Sequence, residues 1–252
     1  MIKTISFIGS GNVATQFALA FQSVGIQIVH IHSRNQLTGK KLAKQVKAIF
    51  IESISNLKKC DLIMICINDD SIKDIIHSIP NTLIVHTSGS TSLEVFTNKD
   101  NYGVIYPLQS LNKDTQVDFT KVSICIEANN KSNENKLLDL SSKISKKTNI
   151  LNSQNRRILH LAAVISCNFS NFCYLMAHNI LKENNIDVNL LKPLISYTAE
   201  KNTKKEPYDN QTGPARRGDS ETIKNHLAML KNEKYKKIYK LLTESIIKEY
   251  EK

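Results

Sequence analysis

Gly9-Ser10-Gly11-Asn12-Val13-Ala14 follows the apolar run Ile5-Ser6-Phe7-Ile8 and opens a segment of helical pattern. In that setting Gly9 permits a tight turn, Gly11 lets a ligand approach the backbone, and small Ala14 in the third glycine's place lets helix and strand pack closely. The helix's unpaired N–H groups and positive dipole end then favour an anion such as a dinucleotide pyrophosphate, with Gly9, Ser10, Gly11, Asn12 and Val13 around it. Taken alone, the motif also fits an ordinary glycine-rich strand-to-helix turn. A second apolar run, Ile26 to Ile31, ends in His32-Ser33-Arg34-Asn35, and no Asp or Glu precedes Glu52. NAD sites place a carboxylate on the ribose about 20 residues past the glycines, whereas a guanidinium and small donors suit a 2′-phosphate. Ser33, Arg34 and Asn35 therefore point to NADP, the other reading of Arg34 being a solvated loop charge.

Further candidates follow the next apolar runs. Ligands of open parallel sheets bind beyond the carboxyl ends of the strands, which puts Asn68, Asp69, His86, Thr87 and Ser88 near the nicotinamide. Later in the chain Arg157, His160, Val164, Asn168 and Asn171 recur at helical spacing. A polar stripe on an otherwise apolar helix is costly without partners. Facing a cofactor cleft, it would use His160 as proton donor and Asn168 and Asn171 to hold substrate or carboxamide groups; a hydrogen-bonded helix contact is the alternative. Arg216 and Arg217 precede a helix beginning near Glu221, for which Asp219 or Ser220 is the N-cap. Two arginines there suit a carboxylate substrate, with a solvated loop or a subunit contact as competing explanations.

The elements that must position these groups read as alternating strands and helices up to about residue 152. The periodicity predicts helices over Asn12 to Ser23, Leu37 to Gln45 and Asn133 to Lys146. Strands are predicted at Ala48 to Ile51, Asp61 to Ile67, Leu83 to Thr87, Val104 to Tyr106 and Ser123 to Ile126. This is an α/β pattern, a doubly wound parallel sheet. From Ser153 strand signals stop. Arg156 to Asn184, Val188 to Lys201, Ser220 to Lys231 and Tyr235 to Tyr250 read as helices, the first apolar enough to be buried against others. Two domains are expected, 1–152 for cofactor binding and 153–252 all-helical. The polar stretch Lys201 to Gly218 is long for a simple connector.

Composition narrows the class. With 252 residues and 41% apolar content, the chain can bury two cores. No apolar stretch approaches the roughly 18 residues of a membrane span, and the chain begins with its first strand instead of a signal peptide, so a cytoplasmic protein without a membrane partner is expected. Five cysteines without metal-ligand spacing read as small buried hydrophobes, and no metal is expected. A net charge of +11 comes from scattered Lys and Arg without interleaved aromatics, which argues against nucleic acid.

Phe7-Ile8-Gly9-Ser10-Gly11-Asn12-Val13-Ala14, His86-Thr87-Ser88-Gly89-Ser90, Tyr106-Pro107-Leu108-Gln109, His160-Leu161-Ala162-Ala163 through Asn168, and Thr212-Gly213-Pro214 with Arg217-Gly218-Asp219 span nearly the whole chain. Together they resemble a family of Rossmann-like bacterial proteins with a C-terminal domain of unknown function. That family is similar in architecture to 6-phosphogluconate and β-hydroxyacid dehydrogenases, pyrroline-5-carboxylate reductase and deazaflavin-dependent NADP reductases. The resemblance implies an NADP-binding Rossmann domain, a helical dimerisation domain like that of 6-phosphogluconate dehydrogenase, and a cleft between them. β-Hydroxyacid dehydrogenases carry a catalytic Lys four residues before an Asn; here Val164 precedes Asn168, so a general acid must come from His160, His86 or Tyr106. The expected function is an NADP-dependent oxidoreductase moving a hydride between nicotinamide and a C=O or C=N group of a small anionic substrate, with Arg217 steering its charge. A homodimer is expected from the apolar helix. The alternative is an NADP-binding regulator or scaffold without turnover.

Overall fold

Leu62-Ile63-Met64-Ile65 has all four side chains buried, as a parallel strand covered on both faces requires. It is the fourth of eight strands: β1 (Thr4–Ile8), β2 (Gln27–His32), β3 (Ile49–Ile51), β4 (Leu62–Ile65), β5 (Leu83–His86), β6 (Tyr102–Leu108), β7 (Ser123–Ala128) and β8 (Lys147–Ile150). The computed structural model describes residues 1–115 and 117–251. Sheet order is β3-β2-β1-β4-β5-β6-β7-β8, and all neighbours are parallel except antiparallel β6 and β7. The order reverses between β1 and β4, the switch point at which such sheets open a crevice. The expected parallel, doubly wound sheet is therefore mostly parallel, extended by a final edge strand that the sequence pattern did not reveal.

The helices are α1 (Asn12–Ser23), α2 (Gln36–Gln45), α3 (Ile72–Ile75), α4 (Lys131–Ser142), α5 (Ser153–Ala163), α6 (Ser170–Glu183), α7 (Lys192–Lys204), α8 (Pro207–Asn210), α9 (Pro214–Arg217), α10 (Ser220–Met229) and α11 (Glu233–Tyr250). The chain divides into two compact units, Met1–Cys167 and Asn168–Lys252. The division falls beyond residue 152 because α5 is fastened to the sheet. Arg156, with no exposed surface, donates to the Glu127 carboxylate on β7 and to the Thr91 carbonyl, while Ser153 N–H and Oγ donate to the same carboxylate at 2.8 and 2.7 Å. In the first unit one cluster buries Phe7, Phe17 and Phe21, and another buries Ile63, Ile65, Ile72 and Phe96. Each such side chain contributes about 1.5–3 kcal/mol.

The second unit is all-helical. Among its described apolar side chains only Met176 and Tyr235 are buried. Polar contacts supply much of its order: Asn179 donates to Tyr235 Oη at 2.9 Å, and buried Asn210 donates to the Lys201 carbonyl at 3.2 Å and receives Lys201 Nζ on its own carbonyl at 3.0 Å. These bonds order the stretch expected as a loop, which contains α8 and α9 and ends on left-handed Gly218.

The helix running from Ser153 to Glu183 departs from expectation in three ways. It is interrupted by a π-helical stretch, Val164–Phe169. An inserted residue rotates everything beyond it by about 100° against α-helical phase, so the stripe extrapolated from Arg157 through His160 to Asn168 and Asn171 does not continue as one α-helical face. It is also not buried within the chain, Leu161, Ile165 and Phe169 being 60%, 54% and 59% exposed. Finally, it contains an 18-residue window of mean hydropathy 1.4, so by length and composition this helix meets the criterion for crossing a membrane that no stretch was expected to meet. Of the cysteines, Cys60 and Cys125 are buried and Cys66 half-buried, but Cys167 and Cys173 on this helix are exposed.

Candidate active site

The turn after β1 is built around Gly9, whose φ of +124° suits glycine. A Cβ there would sit 2.1 Å from the Cys66 carbonyl oxygen. Gly9 N–H donates to the His32 carbonyl at 2.8 Å and Cys66 N–H to the Ile8 carbonyl at 2.8 Å, which fixes the ends of β1, β2 and β4 to one another. Gly11 is the N-cap of α1, and a Cβ on it would meet nothing within 4 Å. It would project into the open space that a phosphate needs.

A cavity of about 470 Å³ lies here, within the size range of ligand sites. Of the predicted cofactor residues, Gly9, Ser10, Gly11, Asn12, Ser33, Arg34, Asn35 and Asn68 line it. Val13 instead packs against the core. At the end of β2, Ser10 Oγ donates to Ser33 Oγ at 2.8 Å and lies 2.7 Å from Thr38 Oγ1, while Asn35 caps α2 by accepting from Thr38 N–H at 3.1 Å. Three hydroxyls, the Arg34 guanidinium and the start of α2 fit a phosphomonoester. Thr38 was missed from sequence; its signal was its place in the first turn of the helix that Asn35 caps. Asp74 is the sole carboxylate among the described lining residues, and the thiol of Cys66, also in the lining, has its pKa pushed up to about 12 by burial.

Asp69, Thr87 and Ser88 stand outside that lining, at the carboxyl ends of β4 and β5. Asp69 accepts from Ser88 Oγ at 2.7 Å and from Ser90 Oγ at 2.5 Å, and Ser88 Oγ in turn accepts from Thr91 N–H at 2.9 Å. Thr87 Oγ1 donates to the Ile65 carbonyl at 3.4 Å. His86 is wholly buried, accepts from Ser88 N–H at Nδ1, and has its pKa pushed down to about 3, by burial first and then by Arg156. A neutral, enclosed imidazole is a poor proton donor, so His86 leaves the set of candidate acids.

His160 has a different setting. Its Nδ1 lies 3.1 Å from Tyr106 Oη, with the rings edge to face. Gly89 makes room for it, since a Cβ there would sit 2.6 Å from the imidazole. Burial raises the Tyr106 pKa, reinforced by Cys125 and opposed by Arg156. Arg156 and Glu127, which hold α5 and thus His160 against the sheet, were not foreseen: their separation of 29 residues leaves no local signal. Asn168, Asn171 and Arg217 belong to the second unit, where all three are exposed. Arg217 Nη2 is 3.9 Å from its neighbour Asp219, which caps α10, while Arg216 stacks 4.4 Å over the Tyr250 ring.

The family model of NADP oxidoreductases, coenzyme F420-dependent, matches residues 4–88, and that of a domain of unknown function (DUF2520) matches residues 122–246. A solved structure from Bacteroides fragilis, a “putative NADP oxidoreductase”, is 34% identical over 98% of both chains with a TM-score of 0.93. The chain belongs to the NADP oxidoreductase family. Two more distant structures share its fold. An imine reductase from Myxococcus stipitatus solved with NADP+ is 14% identical over 97% of this chain and 92% of that one, TM-score 0.68. A reductive aminase from Aspergillus terreus solved with NADPH and ethyl-5-oxohexanoate is 14% identical over 99% and 95%, TM-score 0.73. No curated protein matches the chain.

Proposed function

We propose that this NADP oxidoreductase reduces a C=O or C=N group of a small, anionic substrate, with the Tyr106–His160 pair supplying the proton. The 3.1 Å hydrogen bond of that pair carries the reading, because it sets two titratable groups beside the carboxyl ends of β5 and β6. Bound NADPH supplies the hydride. In this reading the phenol donates to Nδ1 and the pair relays one proton: the Nε2 proton passes to the substrate as the Tyr106 proton moves to Nδ1, leaving a tyrosinate that solvent reprotonates. Asp69, fixed by two serine hydroxyls, and Asn68 orient a carboxamide.

The exposed Leu161, Ile165 and Phe169 support a homodimer in which a second copy covers the long helix, and five unpaired thiols support residence in the cytoplasm. The test is Tyr106→Phe and His160→Gln, assayed for NADPH oxidation with oxo acids and imines. Turnover should fall about 10²- to 10⁴-fold with NADPH affinity retained. Unchanged turnover in both variants removes the pair from the mechanism.

A further inference from the structure

The cofactor cavity has a second Lys or Arg cation besides Arg34, and it comes from far along the chain. Lys113 lines the cavity together with Gly9, Gly11 and Asn12. Its backbone N–H donates to Asn12 Oδ1 at 3.2 Å, so the residue is fastened to the first position of α1. The flanking segment is held equally firmly. Gln16, one turn further along α1 and only 4% exposed, donates from Nε2 to the carbonyls of Asn112 at 2.6 Å and Thr115 at 2.8 Å. Leu111 and Val117 anchor the same segment in the core. A buried glutamine spent on two loop carbonyls holds this segment across the start of α1, where free N–H groups line the cavity.

We infer that Lys113 binds the cofactor's pyrophosphate, carried there by a strap over residues 111–115 that Asn12 and Gln16 fasten to α1. The inference rests on the NADP reading of this cavity. An ammonium on a flexible four-carbon stem suits a diphosphate that already lies on backbone N–H groups, whereas the fork of Arg34 suits the terminal 2′-phosphate. The two cations thus divide the work: Lys113 serves NADPH and NADH alike, and Arg34 discriminates between them.

The experiment is titration of NADPH and NADH by nicotinamide fluorescence, in a chain that has no Trp to interfere. Lys113→Ala should weaken both nucleotides roughly tenfold, keep their ratio, and flatten the salt dependence of binding. Lys113→Arg should restore most of the affinity. Arg34→Ala should weaken NADPH only. Gln16→Ala should weaken NADPH when Lys113 is present and add nothing in Lys113→Ala, the non-additivity expected of a positioning residue. Unchanged affinity in Lys113→Ala, or a loss confined to NADPH, overturns the inference. Failure of the unsubstituted protein to bind either nucleotide would instead remove the cofactor reading beneath it.

Discussion

In the first unit Phe7, Phe17, Phe21 and Phe96 are wholly buried around a sheet, whereas in the second only Met176 and Tyr235 are buried among the described apolar side chains. The first unit thus accounts for its own stability. The second exposes Leu194, Tyr197, Met229 and Leu241 and leans on side-chain hydrogen bonds instead, an arrangement suited to helices that complete their burial against another surface. The contrast places the cofactor platform in the first unit, while exposed apolar side chains lie on the second unit and on the helix from Ser153 to Glu183, whose residues are divided between the two.

The sharpest way to break the first half of this comparison is to release α5. Arg156→Ala leaves Glu127 without its buried partner and should cost about 3–5 kcal/mol in urea unfolding. Replacing both residues with apolar side chains should recover much of that loss. If Arg156→Ala unfolds at the same urea concentration as the parent, the ion pair does not hold the helix.

The exposed apolar face of the long helix is tested at Leu161 and Ile165, which belong to the first unit. Leu161→Asp or Ile165→Asp should convert a homodimer to monomer at micromolar concentration, as expected for interface anchors worth at least about 2 kcal/mol each. Light scattering of the parent protein decides the matter directly: a monomer mass would refute the dimer. Partition of the parent into lipid vesicles would show that a membrane covers the helix instead.

Acid should separate the units as well. The folded pKa of His86 lies at about 3, below its ordinary 6.5, so between those values the unfolded chain binds the extra proton and stability rises with pH. The contribution is complete above 6.5 and is lost as pH falls toward 3. At pH 5 the loss from this group is about 2 kcal/mol, and buried His30, lowered by burial and Lys58, acts in the same direction. His86→Gln should flatten the profile between pH 5 and 7; an unchanged profile would mean that His86 is not the sensor.

How much was legible from sequence follows the same division. Strands β1, β2, β4 and β5 and helix α1 were readable because a core on both faces imposes continuous apolar runs and a 3.6-residue period. Strand β8 was not, because Lys147, Asn149 and Ile150 are exposed at the sheet edge and carry no apolar signature. The antiparallel turn of β6 against β7 was hidden because side-chain periodicity does not encode strand direction. The glycine-rich turn and the hydroxyls around Arg34 came from local spacing. Arg156 with Glu127, and Lys113 with Gln16, depend on contacts between distant segments. The polar stripe of the long helix was extrapolated on an unbroken 3.6-residue period, which a π-helical stretch interrupts.

The smallest effect expected is also the most specific. His160 meets Tyr106 only because Gly89 has no side chain, its missing Cβ lying 2.6 Å from the imidazole. Gly89→Ala should therefore push the ring off the phenol without touching the cofactor cavity, whose lining does not include Gly89. Turnover should fall by about tenfold, or 1.4 kcal/mol in the barrier, while NADPH affinity and urea stability stay close to the parent's. Adding Tyr106→Phe to Gly89→Ala should lower turnover no further than Tyr106→Phe alone, because both changes break the same hydrogen bond. If the two losses multiply instead, Gly89 acts through the backbone around Ser88 and Asp69, and the proton-donor pair has to be argued from Tyr106 without His160.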